Sequence, residues 1–169
     1  VTSFDIALLV LRLGIGITMA VHGYAKLFRG GRISGTSKWF TSLGMRPAAF
    51  HAWLAAGTEI AAGLALAAGL LTSLASAAFV ALMLVAAWTV HRKKGFLITS
   101  GGWEYTFVLA VAAISIAIMG PGHMSLDWLI FGSSLLEGLP GLFISVGVGG
   151  VAGAGLLATC YRPPKNITD

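Results

Sequence analysis

One apolar stretch, Ile6 to Phe28 (IALLVLRLGIGITMAVHGYAKLF), constrains this chain more than any other feature. It is long enough to cross a bilayer, which takes about 20 residues of helix, yet it carries Arg12, His22 and Lys26. An ionisable side chain at membrane depth costs about 2.5–3.5 kcal/mol on the gentlest scales, so it turns toward a neighbouring helix or a wet cavity. At about 3.6 residues per turn, Arg12, Gly16, Met19, Gly23 and Lys26 fall on one stripe, with His22 one turn from Lys26. That stripe is expected to face protein. Its glycines let a neighbour's backbone approach, and its cations need acceptors from that neighbour.

Composition extends the reading to the whole chain. Of 169 residues, 57% are apolar and 10% charged, where an ordinary soluble domain has about 25% charged; the mean hydropathy is +0.88. The expected fold class is all-α, a polytopic membrane helix bundle in one domain, with the lipid bilayer as its first partner. The 23 glycines are interleaved with Leu, Val and Ile, as in close helix packing rather than a linker. A formal charge of +5 does not point to nucleic acid, because no basic run is long or mixed with exposed aromatics; a membrane surface accounts for it better. Cys160 is the single cysteine, which excludes an intrachain disulfide, a Cys-x-x-Cys redox pair and a thiolate metal cage. Any electron chemistry must therefore come from a cofactor or a partner. The N-terminal stretch is not expected to be a secretory signal, since Asp5 stands where a basic flank belongs and no cleavage pattern follows.

Further spans follow in order. After a basic loop, Arg29 to Pro47, in which Ser37 to Phe40 forms a short interfacial turn, a second span runs from about Phe50 to Leu71 and holds one acid, Glu59. Thr72 and Ser73 turn into a third, about Leu74 to Val90, closed by His91-Arg92-Lys93-Lys94. The fourth starts at Trp103-Glu104-Tyr105 and stops at Gly120-Pro121-Gly122. Met124 to Leu139, interrupted by Asp127, Ser133-Ser134 and Glu137, reads as a partly helical surface segment. A fifth span, about Leu142 to Thr159, carries Gly149-x-x-x-Gly153, and Tyr161 to Lys165 form a tail.

Apart from Arg12, every Lys and Arg falls at the first loop, the third loop or the C-terminus, and five spans put those regions on one side. The positive-inside rule makes that side cytoplasmic and the N-terminus external. Depth follows from this topology. Glu59 lies about nine residues, roughly 13 Å, from the inner end of its helix, and Arg12 a few turns from the outer face. An Arg12–Glu59 pair is the cheapest way to keep both charged there, the alternative being a neutral Glu59. Glu104 is the expected acceptor for Lys26 or His22.

Several motifs in order carry a likeness: Arg12-Leu13-x-x-Gly16 and His22-Gly23-x-x-Lys26-Leu27-Phe28; Glu59-Ile60-x-x-Gly63-Leu64-x-Leu66-x-x-Gly69-Leu70; Gly102-Trp103-Glu104-Tyr105; and Gly120-Pro121-Gly122-x-x-Ser125-Leu126-Asp127. With them the chain resembles the DoxX family of bacterial membrane proteins over about residues 6 to 127. The resemblance implies a four-helix core over 1–127, with 128–169 adding a surface segment, a fifth transmembrane helix and a short cytoplasmic tail. DoxX proteins are similar to DoxD, a membrane subunit of a thiosulfate:quinone oxidoreductase. An actinobacterial member is linked with thiol-handling and superoxide-removing enzymes. A bacterial plasma-membrane protein in a redox-linked complex is thus implied, as a subunit rather than an enzyme complete in itself.

Three functions compete. In the first, a polar seam of Arg12, His22, Lys26, Glu59 and Glu104 binds a quinone-like lipid, with Lys26 or His22 donating to a carbonyl oxygen and Glu59 exchanging a proton. In the second, the chain is a non-catalytic scaffold or assembly subunit, docking other membrane proteins through Gly149, Gly153 and the glycines around them. A small transporter is disfavoured by the lack of an inverted repeat. No metal site is expected, and haem is disfavoured because only His22 and His91 share a depth. Plainer roles stand beside each residue: Arg12 and Glu59 as a structural clamp, Lys26, His51 and His91 snorkelling at the interface, and Trp39, Trp53, Trp103 and Trp128 as an aromatic belt.

Overall fold

Thr2 opens the first helix with a reciprocal cap. Its hydroxyl accepts from Asp5 N at 3.3 Å while its own N–H donates to Asp5 Oδ2 at 2.7 Å. From there α1 runs Ser3–Phe28 and buries Asp5, Leu8, Arg12, Gly16, Met19 and Gly23, the stripe anticipated from helical periodicity. The computed structural model describes residues 1–132 and 136–163. Next come α2, Arg32–Leu43; α3, Ala48–Ala68; α4, Thr72–Lys94; α5, Glu104–Met119; α6, Leu126–Phe131; and α7, Leu139–Cys160. Four of these, α1, α3, α4 and α7, are long and apolar enough to cross a membrane. At 16 residues α5 is shorter, about 24 Å. The protein is an all-α helical bundle.

Antiparallel packing of α1 on α3 is set by glycine. A β-carbon at Gly16 would strike the Gly63 carbonyl and Ala67, and one at Gly23 would strike Ala56 and Glu59, so the two backbones touch directly. Met19, Leu66, Phe79, Leu109, Ala113 and Ile116 fill the space between α1, α3, α4 and α5. Both α4 and α7 depart from regular α-helix: α4 widens to a π-turn at Ala87–His91, and α7 is π-helical over Phe143–Val148.

The turn between α3 and α4 puts Gly69 and Leu71 at φ of 66° and 47°. Left-handed backbone is costly for leucine. Asp127 secures it, accepting from Leu71 N at 2.7 Å, Thr72 N at 2.9 Å and Thr72 Oγ1 at 2.8 Å. At the opposite end of the bundle, Arg46 N donates to the Cys160 carbonyl at 2.9 Å and Arg162 N to the Gly44 carbonyl at 2.7 Å, tying the end of α2 to the end of α7.

Two sequence expectations change, and a third holds in part. The basic loop contains a 12-residue helix, α2, instead of a brief turn at Ser37–Phe40; Gly44 in the left-handed conformation ends it. The last span begins at Leu139, because Pro140 fits the first helical turn, where its missing N–H costs nothing. Of the surface segment, α6 is helical, capped by the Ser125 hydroxyl accepting from Trp128 N. Ser133, Ser134, Pro164 and Lys165 lie outside the described residues. Arg29, Arg32, Lys38, Arg46, Arg92, Lys93, Lys94 and Arg162 all fall at the end of the bundle where α1, α4 and α7 finish.

Candidate functional site

The polar seam divides. Lys26 Nζ donates to both oxygens of Glu59, at 2.7 and 2.6 Å, so the ion pair of the membrane interior is Lys26–Glu59 rather than Arg12–Glu59. Helix register and side-chain direction explain the correction. With Gly16 against Gly63 and Gly23 against Ala56, Arg12 lies level with Ala67, eight residues and about 12 Å from Glu59. Side chains of a helix lean toward its N-terminus. On antiparallel helices Lys26 and Glu59 therefore lean toward each other, whereas Arg12 and Glu59 lean apart.

Arg12 belongs to the other end. Fully buried, it donates through Nη2 to the Met124 carbonyl at 2.6 Å, and its guanidinium occupies the space a side chain at Gly69 would need. Asp127 supplies an opposing charge nearby. Asp5, also buried, accepts from His123 N at 2.9 Å and meets His123 Nδ1 at 2.8 Å. These contacts fasten the 122–127 segment across the bundle.

Two more seam residues separate from the pair. Glu104 is not the acceptor for Lys26 or His22; its Oε2 accepts from Ile98 N at 2.8 Å, closing the loop before α5. The first turn of α5 points Glu104 back over that loop, and Glu59 has already taken Lys26. His22 is exposed, with its ring 6.2 Å from that of Tyr105. His91 Nδ1 donates to the Gly101 carbonyl at 2.7 Å.

Lys26 and Glu59 line a cavity of about 350 Å³ bordered by α1, α2, α3, α4 and α7. Its space comes from small side chains, among them Ala55, Ala78, Ala81 and Gly153. Trp39 and Phe40 of α2 cover it from the loop end. Three polar side chains that the seam omitted also line it: His51, Thr58 and Thr89. His51 is 4% exposed, with Nε2 3.3 Å from the Arg46 carbonyl, so it is a cavity residue and not a snorkelling one. The signal for it was the spacing to Glu59: eight residues, two turns along the same side of α3. Among the described residues no three His, Cys, Asp or Glu side chains gather to hold a metal.

Comparison with known proteins agrees with this architecture. The DoxX family model matches residues 7–92, which is α1 to the end of α4, and a relative from Bacillus subtilis (strain 168) named "Putative oxidoreductase CatD" is 33% identical over 129 residues, 76% of this chain and 90% of the relative. The chain belongs to the DoxX family. No solved structure matches. The part of this DoxX protein that matches the family model includes Lys26, Trp39, His51 and Glu59, whereas the α7 wall lies beyond it.

Gly149 and Gly153, expected to receive another subunit, are occupied within the DoxX chain. A β-carbon on Gly149 would meet Ala77 and Val80 of α4, and one on Gly153 would meet Ala81 and Leu84. That close approach is how α7 reaches the cavity, and it takes Gly149 and Gly153 out of the scaffold reading while Gly147, Gly150 and Gly155 around them meet no atom within 4 Å. Gly149→Leu is expected to lower the melting temperature of the purified chain in the absence of any partner, whereas Gly150→Leu, with no atom within 4 Å of its β-position, should leave it within about a degree. Equal behaviour of the two variants would contradict this packing.

Proposed function

We propose that this protein is a membrane subunit of a redox-linked complex and holds the head group of a quinone-like lipid in the cavity beside Lys26 and Glu59. The observation that carries the reading is an apolar cavity with a single ion pair on its wall. A volume of about 350 Å³ falls in the range of small-molecule sites, roughly 300–1,000 Å³. Lys26 and Glu59 neutralise each other, which disfavours a carboxylate or ammonium head group. Lys26 nevertheless has three protons and gives two to Glu59, so one donor remains for a neutral acceptor such as a ring carbonyl.

A quinone-like ring, when bound, supplies two-electron, two-proton chemistry. The chain's own part is to orient and to supply protons. Lys26 Nζ donates a hydrogen bond to a ring oxygen, and Glu59, partnered at both oxygens by the same ammonium, is the group beside it able to hold a proton. Trp39 and Phe40 give the loop end of the cavity an aromatic wall against which a ring can pack. A single cysteine, Cys160, leaves the chain without a thiol pair of its own, so the electrons come from a partner protein. The relative's name, an oxidoreductase, supports the same reading. We place the protein in a bacterial plasma membrane with the cationic end of the bundle in the cytoplasm and the N-terminus outside, as the positive-inside rule requires.

Filling the cavity tests the function. Ala55→Phe should reduce quinone-linked electron transfer in membranes at least tenfold while leaving helix content unchanged, and His22→Ala should be silent in the same assay. A full rate with the cavity filled would refute the assignment.

A further inference from the structure

We infer that His51 is the second polar contact for the cavity's ligand and that it selects the reduced, dihydroxy form of the ring over the oxidised form. This rests on the proposed cavity reading and concerns which form is held there. His51 and the Lys26–Glu59 pair line one cavity, two turns of α3 apart, about 12 Å. Oxygens at opposite ends of a six-membered ring are about 5 Å apart, and with a hydrogen bond of about 2.8 Å at each end such a ring bridges about 11 Å. Ala55, halfway between His51 and Glu59 and also on the cavity wall, offers the ring a floor without bulk.

Hydrogen-bond polarity then chooses between the two forms. A carbonyl oxygen can only accept, so the contact of His51 Nε2 with the Arg46 carbonyl requires the hydrogen to be on Nε2. In the neutral ring, Nδ1 is left as an acceptor and makes no hydrogen bond to any described residue. The cavity therefore presents a donor, the third Lys26 proton, at one end and an acceptor, His51 Nδ1, at the other. A hydroxyl both accepts and donates, so a dihydroxy ring satisfies both ends. A ring carrying two carbonyls satisfies Lys26 and sets lone pair against lone pair at His51.

The test uses the full chain in lipid nanodiscs, with a decyl-substituted benzoquinone and its hydroquinone as probes, the latter kept reduced under anaerobic conditions. Binding is read from quenching of tryptophan emission, Trp39 being on the cavity wall. The hydroquinone is expected to bind about tenfold more tightly, the factor carried by one ordinary hydrogen bond. His51→Phe, which keeps the ring volume, and His51→Ala should both remove this preference, weakening hydroquinone binding by loss of the acceptor and strengthening benzoquinone binding by relief of the lone-pair repulsion. A preference that survives in both folded variants overturns the role of His51 and leaves the cavity reading intact. If the unaltered protein, with its helix content intact, binds neither probe, both readings fall.

Discussion

Lys26→Met on its own should destabilise the detergent-solubilised protein by about 3 kcal/mol, whereas Lys26→Met combined with Glu59→Met should recover most of that loss. Breaking a buried ion pair from one side leaves a charge in a low dielectric with nothing to oppose it, at a cost of about 3–5 kcal/mol; replacing both partners by apolar residues removes the desolvation penalty together with the attraction. The lower end of the range applies because the side chains retain 20% and 10% of their exposure through the cavity. Unfolding titrations in mixed micelles would measure the difference. A double variant no more stable than the single one would mean that Lys26 and Glu59 are not each other's main partner.

Asp127→Ala should be the more damaging change at the other end, by about 4 kcal/mol, because it strips three hydrogen bonds from a charged acceptor worth about 1.5–3 kcal/mol each before non-additivity. Among the groups released is the N–H of Leu71, in the left-handed conformation that the turn requires. Arg12→Met, by contrast, should change stability by no more than about 1 kcal/mol. Buried Arg12 has one hydrogen bond, its Nε and Nη1 have no partner among the described residues, and Asp127 keeps its three hydrogen bonds to the turn without it, so an apolar side chain of similar length gives back the cost of a poorly partnered buried guanidinium. If Arg12→Met proved the worse of the two, the carboxylate of Asp127 would be serving the guanidinium and not the turn.

What the sequence disclosed, and what it hid, follows from the range of each interaction. The buried stripe of α1 was legible because it obeys a period within one helix, and four of the five expected spans, α1, α3, α4 and α7, were legible because long apolar runs sort locally between solvent and lipid; the expected fourth span, α5, is the shorter helix of 16 residues. Register between helices was not. It depends on where Gly16 meets Gly63 and Gly23 meets Ala56, contacts made across more than thirty residues of chain, and on which way each side chain leans from its helix. Arg12, His22, Lys26, Glu59 and Glu104 were all visible as polar residues in apolar surroundings; that only Lys26 and Glu59 share a cavity required the fold. His51 was hidden by its place at the beginning of a helix, where histidine ordinarily meets solvent. Gly149 and Gly153 announced close packing, and with whom could not be read from one helix alone.

The cavity wall also fixes an order in time. Ala152, Gly153 and Leu156 come from α7, which leaves the ribosome after the other helices that line the cavity, and the backbone pairing of Gly44 and Arg46 with Arg162 and Cys160 joins segments more than a hundred residues apart. Chains emerge N-terminus first. Until α7 enters the membrane and docks on α4, then, Lys26 and Glu59 meet each other on a groove that lacks its α7 wall. Insertion of α7 is thus the step that adds the missing wall, and a nascent chain halted before it would have its ion pair beside an incomplete pocket.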